Sequence, residues 1–177
     1  MALGDSVVSI CNIGLIELGA DPIVSLDDNR KAAKICKARY DQVRREILAA
    51  HPWRSAKKQA QLAANVTVPL FQYANAFNLP SDFIRTFDLP EDDDTPWEIS
   101  GSQIFTDADA PLDLTYIFDL QDPTKFEPLL AAALGYAIGA VAAYSLTQNQ
   151  ADVQRLTAMV EGKLAMARLV SAQSGSP

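Results

Sequence analysis

The stretch HPWRSAKK holds the chain's single histidine, His51, beside Pro52 and Trp53. Histidine titrates closest to physiological pH, so a solitary one invites three readings: a general base, a metal ligand or a structural joint. A nucleophilic pairing needs a thiol or hydroxyl within hydrogen-bond reach of the imidazole. Cys36 lies fifteen positions before His51 in what reads as one helix, about 22 Å away at the helical rise. Cys11 could reach it only through tertiary packing. Both cysteines occupy apolar positions of helical patterns without the paired spacing of a zinc site, and are expected as reduced core thiols.

A second group that could do chemistry is the run Glu91, Asp92, Asp93 and Asp94. Carboxylates bind hard cations, but adjacent acids do not converge on one point unless the backbone curls, and the EF-hand spacing with its central glycine is missing. The run is expected as an acidic loop facing solvent or a partner. Paired carboxylates for glycoside hydrolysis are a three-dimensional property that the sequence does not positively support. No Gly-x-Ser-x-Gly elbow, phosphate-cradling glycine loop or His-Glu-x-x-His pattern occurs. The expectation is therefore no catalytic residue, no metal and no cofactor.

The residue after His51 decides how it is read. Proline disfavours the α conformation at the position before it, so the helix should end around His51, near a helix C-terminus where positive charge is stabilised. Trp53 then supplies a large apolar anchor with one N–H donor. His51, Pro52 and Trp53 read as a structural joint that sets the direction in which the chain leaves the helix.

The elements flanking that joint follow from periodicity. A first helix is expected after Asp5, as its cap, to Gly19, with Val8, Cys11, Leu15 and Leu18 inward. A second follows Asp27 or Asp28 to Ala50, with Ala33, Cys36, Tyr40, Val43, Ile47 and Ala50 in one stripe. Its other side, with Arg30, Lys34, Lys37, Asp41, Arg44 and Arg45, reads as solvated or as facing an acidic neighbour. Between Gln59 and Leu120 the period shortens. Trp97–Ser100 and Gln103–Thr106 flank Gly101-Ser102 as a hairpin, Leu112 to Phe118 alternates as a strand with Leu112, Leu114, Tyr116 and Phe118 buried, and Phe83–Leu89 and Tyr73–Leu79 read as further strands.

Thr124 to Glu127 has the form of a capping box, but Pro128 favours a short turn and a restart with Pro128 near the first helical position. That helix is expected to run to about Leu146, with Asn149 capping a last helix whose stripe is Val153, Leu156, Val160, Leu164 and Ala167. The fold class is thus α+β, mainly α. A bundle of about four helices, 5–58 and 123–174, carries a small antiparallel β-sheet inserted at about 59–120, and 171–177 forms a flexible tail.

The 177 residues fit one medium domain, and the net charge of −7 argues against a broad phosphate-gripping surface. The N-terminal stretch lacks a basic region before its apolar run, so synthesis and folding in a cytoplasm are expected. Leu129 to Leu146 carries no charge and includes Gly135-x-x-x-Gly139. It is alanine-rich without basic flanks, and reads as a buried central helix whose small residues admit close neighbours rather than as a membrane span.

The order ICNIGLIELGADPIVSLDDNRKAAKICKARYDQVRREILAAHPW resembles phage tail tubular protein A, the head-to-tail adaptor family of tailed phages and related particles. The family's "CNxAL..LG", "SLDD" and "YxxxRxxxLxxHPW" segments correspond to Cys11–Gly19, Ser25–Asp28 and Tyr40–Trp53. FNLPSDFIRTFDL is similar to its "LPxDxLR" passage, and KFEPLLAAALGYAIGAVAAYSLTQNQADVQRL to its third helix, break and fourth helix. One departure is Gly14, where the family more often has alanine; another is a short C-terminal tail.

The resemblance implies a non-enzymatic structural protein of the virion tail, at the portal vertex after assembly in the host cytoplasm. Twelve copies would form a ring that binds the portal protein and the next tail component, a nozzle or tail-completion protein, while DNA passes through without specific binding. Arg30, Lys34, Lys37, Arg44 and Arg45, the acidic Glu91, Asp92, Asp93 and Asp94, and Gln173 are the residues expected at subunit or portal interfaces. The competing readings are a tail-associated hydrolase acting on host surface glycans and a host-factor binding module.

Overall fold

The computed structural model describes residues 6–67, 69–88 and 95–173. The chain is mixed α+β and divides into a helical unit, Met1–Ser55 with Leu120–Pro177, and a β unit, Ala56–Asp119. Each is described by itself.

The helical unit holds α1 (Val7–Glu17), α2 (Lys31–Ala50), α3 (Pro128–Thr147) and α4 (Gln150–Gln173). Ser6 caps α1, accepting from the Ser9 backbone N–H, while the Ser9 hydroxyl accepts in return from the Ser6 N–H. The helix thus starts after Asp5, as expected; Asp5 itself, the expected cap, lies outside the described residues. Gly19 follows the helix with φ +68°, a left-handed conformation that suits glycine. α2 begins at Lys31 instead of directly after the aspartates, because Asp28 turns back to accept from the N–H and Nε of Arg30.

α3 packs against each of the other three helices. It is long and apolar enough to cross a membrane, and half of its most apolar stretch is buried inside the fold. Its glycines admit α1: a Cβ added at Gly139 would lie 2.8 Å from the Gly14 Cα. Pro128 occupies the first turn of α3 after a short 3₁₀ turn, Pro123–Lys125, as the restart reading expects. Gln148 leaves α3 in the left-handed region, and the Asn149 carboxamide oxygen accepts from the Ala151 N–H to open α4. That helix continues through Ser171 to Gln173, where a flexible tail was expected. Of its anticipated stripe, Leu156 and Ala167 are buried, and Val153, Val160 and Leu164 are half-buried.

The β unit contains two three-stranded antiparallel sheets instead of the single small sheet expected. One has the order β1 (Lys57–Leu62), β6 (Leu112–Phe118), β3 (Phe83–Asp88); the other has β2 (Asn75–Asn78), β5 (Gln103–Thr106), β4 (Trp97–Ser100). β1 falls partly within the stretch assigned to the helical core. It runs in unbroken register with β6, from Lys57 opposite Ile117 to Leu62 opposite Leu112. The two sheets share one apolar cluster of Leu62, Phe77, Ile104, Ala108, Leu112, Leu114 and Tyr116. Gly101, at φ +61°, makes the tight β4–β5 turn. The alternation in β6 is not strict, since Thr115 and Ile117 are buried as well.

Candidate functional site

α2 ends where Pro52 requires it to. His51 adopts an extended conformation, φ −146° and ψ 145°, and the Trp53 N–H returns to the His51 carbonyl at 2.9 Å. Trp53 is fully buried, and its Nε1 donates to the Ile47 carbonyl at 2.8 Å. That carbonyl is among the last four of α2, which a helix leaves without intrahelical partners. The imidazole stands edge-on to the Trp53 ring at 4.6 Å between centroids. Two residues on, the Ser55 N–H and hydroxyl both donate to Oε1 of Glu127, at 3.0 and 3.1 Å, fastening the exit of α2 to the start of α3.

His51 has a hydroxyl beside it that its own helix does not supply. Its Nε2 lies 3.1 Å from the Ser171 Oγ on the last turn of α4. Sequence reasoning missed this contact because Ser171 was assigned to the tail. The pair has the elements of a base and a nucleophile, but His51 is 3% exposed and offers no surface to a substrate. What the geometry supplies is a clamp between α2 and α4.

The thiols lie far from this corner in chemical character. Cys11 and Cys36 are free and buried. They meet thiol to thiol, and that contact together with burial pushes the Cys11 thiol well above its ordinary pKa. A thiol so held is a poor nucleophile.

In the β unit, Asp82, in the turn that leads into β3, ties β1 to β6. Its Oδ1 accepts from the Tyr116 hydroxyl at 2.9 Å and its Oδ2 from the Lys58 ammonium at 2.8 Å, while its carbonyl accepts from the Asp119 N–H at 2.7 Å. Burial alone would raise the pKa of Asp82, but the hydrogen bonds from Lys58 and Tyr116 hold it below the usual carboxylate value. Burial and the carboxylate push the Tyr116 phenol up, and the hydrogen bond to Asp82 raises Lys58. The signal for this network is the turn in Leu79-Pro80-Ser81-Asp82, closed by the Phe83 N–H on the Pro80 carbonyl at 3.0 Å.

The expected interface residues scatter. Arg30 is tied to Asp28 and to the Pro22 carbonyl, and Lys37 to Asp27 at 2.6 Å. Arg44 is a correction: it is 3% exposed, paired with Asp41 and stacked over the Tyr40 ring at 5.9 Å, so it belongs to the buried side of α2. Ala50, placed in the apolar stripe, is exposed, and Leu48 takes its place. Lys34 and Arg45 are exposed. Glu91 to Asp94 lie outside the described residues, and Gln173 is the last residue of α4. Among the described residues, no group of three or more His, Cys, Asp or Glu side chains could hold a metal ion.

No family model matches the chain, and no curated protein matches it.

Proposed function

We propose that this chain is a head-to-tail adaptor of a tailed phage: copies form a ring on the portal, bind the next tail component and continue the DNA channel. The observation that carries this reading is the coincidence of the resembling motifs with the joints of the fold. Asn12 of the opening motif clamps Ile23, donating to its carbonyl at 2.9 Å and accepting its N–H at 2.8 Å. Pro52 and Trp53 turn the chain out of α2, and Asp82 of the Leu-Pro-x-Asp passage gathers Lys58 and Tyr116. Motifs that preserve an architecture fall on such joints, whereas motifs of catalysis converge on a cleft.

The charge is consistent with the same role. A conduit whose wall repels phosphates lets DNA slide, and the chain carries a net −7. The test is to mix the purified chain with portal rings from the same genome and to follow mass and ring appearance by native mass spectrometry and electron microscopy. Decoration of the portal by multiple copies supports the reading; no binding to any portal ring ends it. A monomer before portal contact fits, because assembly follows mass action with the partner.

A further inference from the structure

Charge is segregated along this chain. α2 carries Lys31, Lys34, Lys37, Arg39, Arg44 and Arg45 against Asp41 and Glu46, six cations and two anions, a net of +4 in a molecule of net −7. Four of the 22 acids run together as Glu91 to Asp94. Lys37 and Arg44 have carboxylate partners. Three others do not, among the described residues. The Lys31 ammonium donates to the Ser145 carbonyl, the Arg39 guanidinium to the neutral Gln42 amide at 2.8 Å, and the Lys34 ammonium has no hydrogen bond or ion pair among the described residues, its backbone N–H alone donating to the Arg30 carbonyl.

These three cations line one shallow groove of about 290 Å³ between α2 and α3, with Ile35, Val141 and Ser145. Val141 is 42% exposed, and Tyr144, one turn along the same helix, is 61% exposed. Cations lacking carboxylates beside an uncovered apolar strip are complementary to a segment that brings both acids and apolar side chains. The sequence Leu89-Pro90-Glu91-Asp92-Asp93-Asp94-Thr95-Pro96 has that composition. Its two prolines limit the conformations lost on docking.

We propose that the α2–α3 groove receives the Glu91–Asp94 segment of a neighbouring copy. Each copy offers one groove and one segment, so the contact is head-to-tail and generates a ring when the rotation closes. The proposal rests on the reading of the chain as a ring-forming adaptor, and it names the contact between subunits.

The test uses the full chain as an equal mixture of light and ¹⁵N-labelled protein, treated with a carbodiimide that joins amines to carboxylates in contact, alone and on portal rings. The expected product is an amide between Lys31 or Lys34 and the 91–94 segment that pairs a light with a heavy peptide. Absence of these links, or links only within one isotope, overturns the proposal. Reversing either side, Lys34→Glu with Arg39→Glu or Asp92→Lys with Asp93→Lys, should lower the mixed-isotope product about tenfold or more. Combining all four in one chain should restore it, since the reagent joins the reversed pairs equally well; a combined chain that stays low overturns the contact. The two readings fail separately. Portal binding without these links removes the groove contact and keeps the adaptor, and the links without portal binding do the reverse.

Discussion

Gly14 and Gly139 meet backbone to backbone where α1 crosses α3: a Cβ built on Gly14 would lie 2.6 Å from the Gly139 nitrogen and 2.3 Å from the Gly135 carbonyl oxygen. Those neighbours are main-chain atoms, so no side-chain rotation can relieve the clash. Gly14→Ala should therefore force the helices apart and cost about 1–3 kcal/mol or more. Gly162→Ala, in α4 where an added Cβ meets nothing, should instead stabilise by roughly 0.5–1 kcal/mol through helix propensity. Urea unfolding of both variants checks this, and equal midpoints would show the crossing to be looser than it looks.

The Asp82 network predicts a pH dependence with a definite sign. The folded pKa of Asp82 is depressed, so its contribution is fully present above its unfolded value, near 4, and is lost as pH falls through the folded value. Asp82→Asn should destabilise by about 1–3 kcal/mol at neutral pH, with the gap to the parent closing on acidification below about pH 4. A gap that stays constant from pH 7 to pH 2 would show that charge plays no part. On the alkaline side Lys58 is raised, so its share is intact below its ordinary value and fades as pH rises through the folded one.

These sites were unequally legible in the sequence. The Gly135-x-x-x-Gly139 spacing announced a close helix crossing, and proline placement fixed both the end of α2 and the start of α3, because each rule acts within a few residues. β1 was hidden: Lys57, Lys58, Gln59 and Gln61 have no strand pattern, and what makes them a strand is pairing with β6, from Lys57 opposite Ile117 to Gln61 opposite Asp113, far along the chain. Arg44 was placed on a face expected to meet solvent or an acidic neighbour, because a charged residue usually belongs there. It sits instead beside the apolar stripe, with Tyr40 beneath its guanidinium and Asp41 within reach. Ser171 was lost in a polar tail whose local composition carries no trace of the imidazole packed against it.

The α2 exit corner should depend on the Trp53 donor as well as its volume. Trp53→Phe keeps most of the ring but leaves the Ile47 carbonyl without Nε1–H, at a cost of about 1–3 kcal/mol. Trp53→Ala also empties a fully buried site, and should cost about 3–5 kcal/mol. Thermal unfolding in both variants separates the two contributions. A Trp53→Phe protein as stable as the parent would mean that the hydrogen bond adds nothing.

The His51–Ser171 contact is the sharpest test of how far α4 extends. His51→Ala removes both the bond to the Ser171 hydroxyl and the edge contact with Trp53, whereas Ser171→Ala removes only the bond. The first should therefore destabilise more than the second, the difference including roughly 0.5–1.5 kcal/mol for the aromatic contact. Because the residues touch, their effects should not add: a double-mutant cycle should give a coupling of about 0.5–1.5 kcal/mol. Truncation after Val170 should lower stability at least as much as Ser171→Ala, since it removes the same hydroxyl together with the end of α4. Additivity within about 0.3 kcal/mol, or a truncation without effect, would show that the Ser171 hydroxyl adds nothing to the hold on His51.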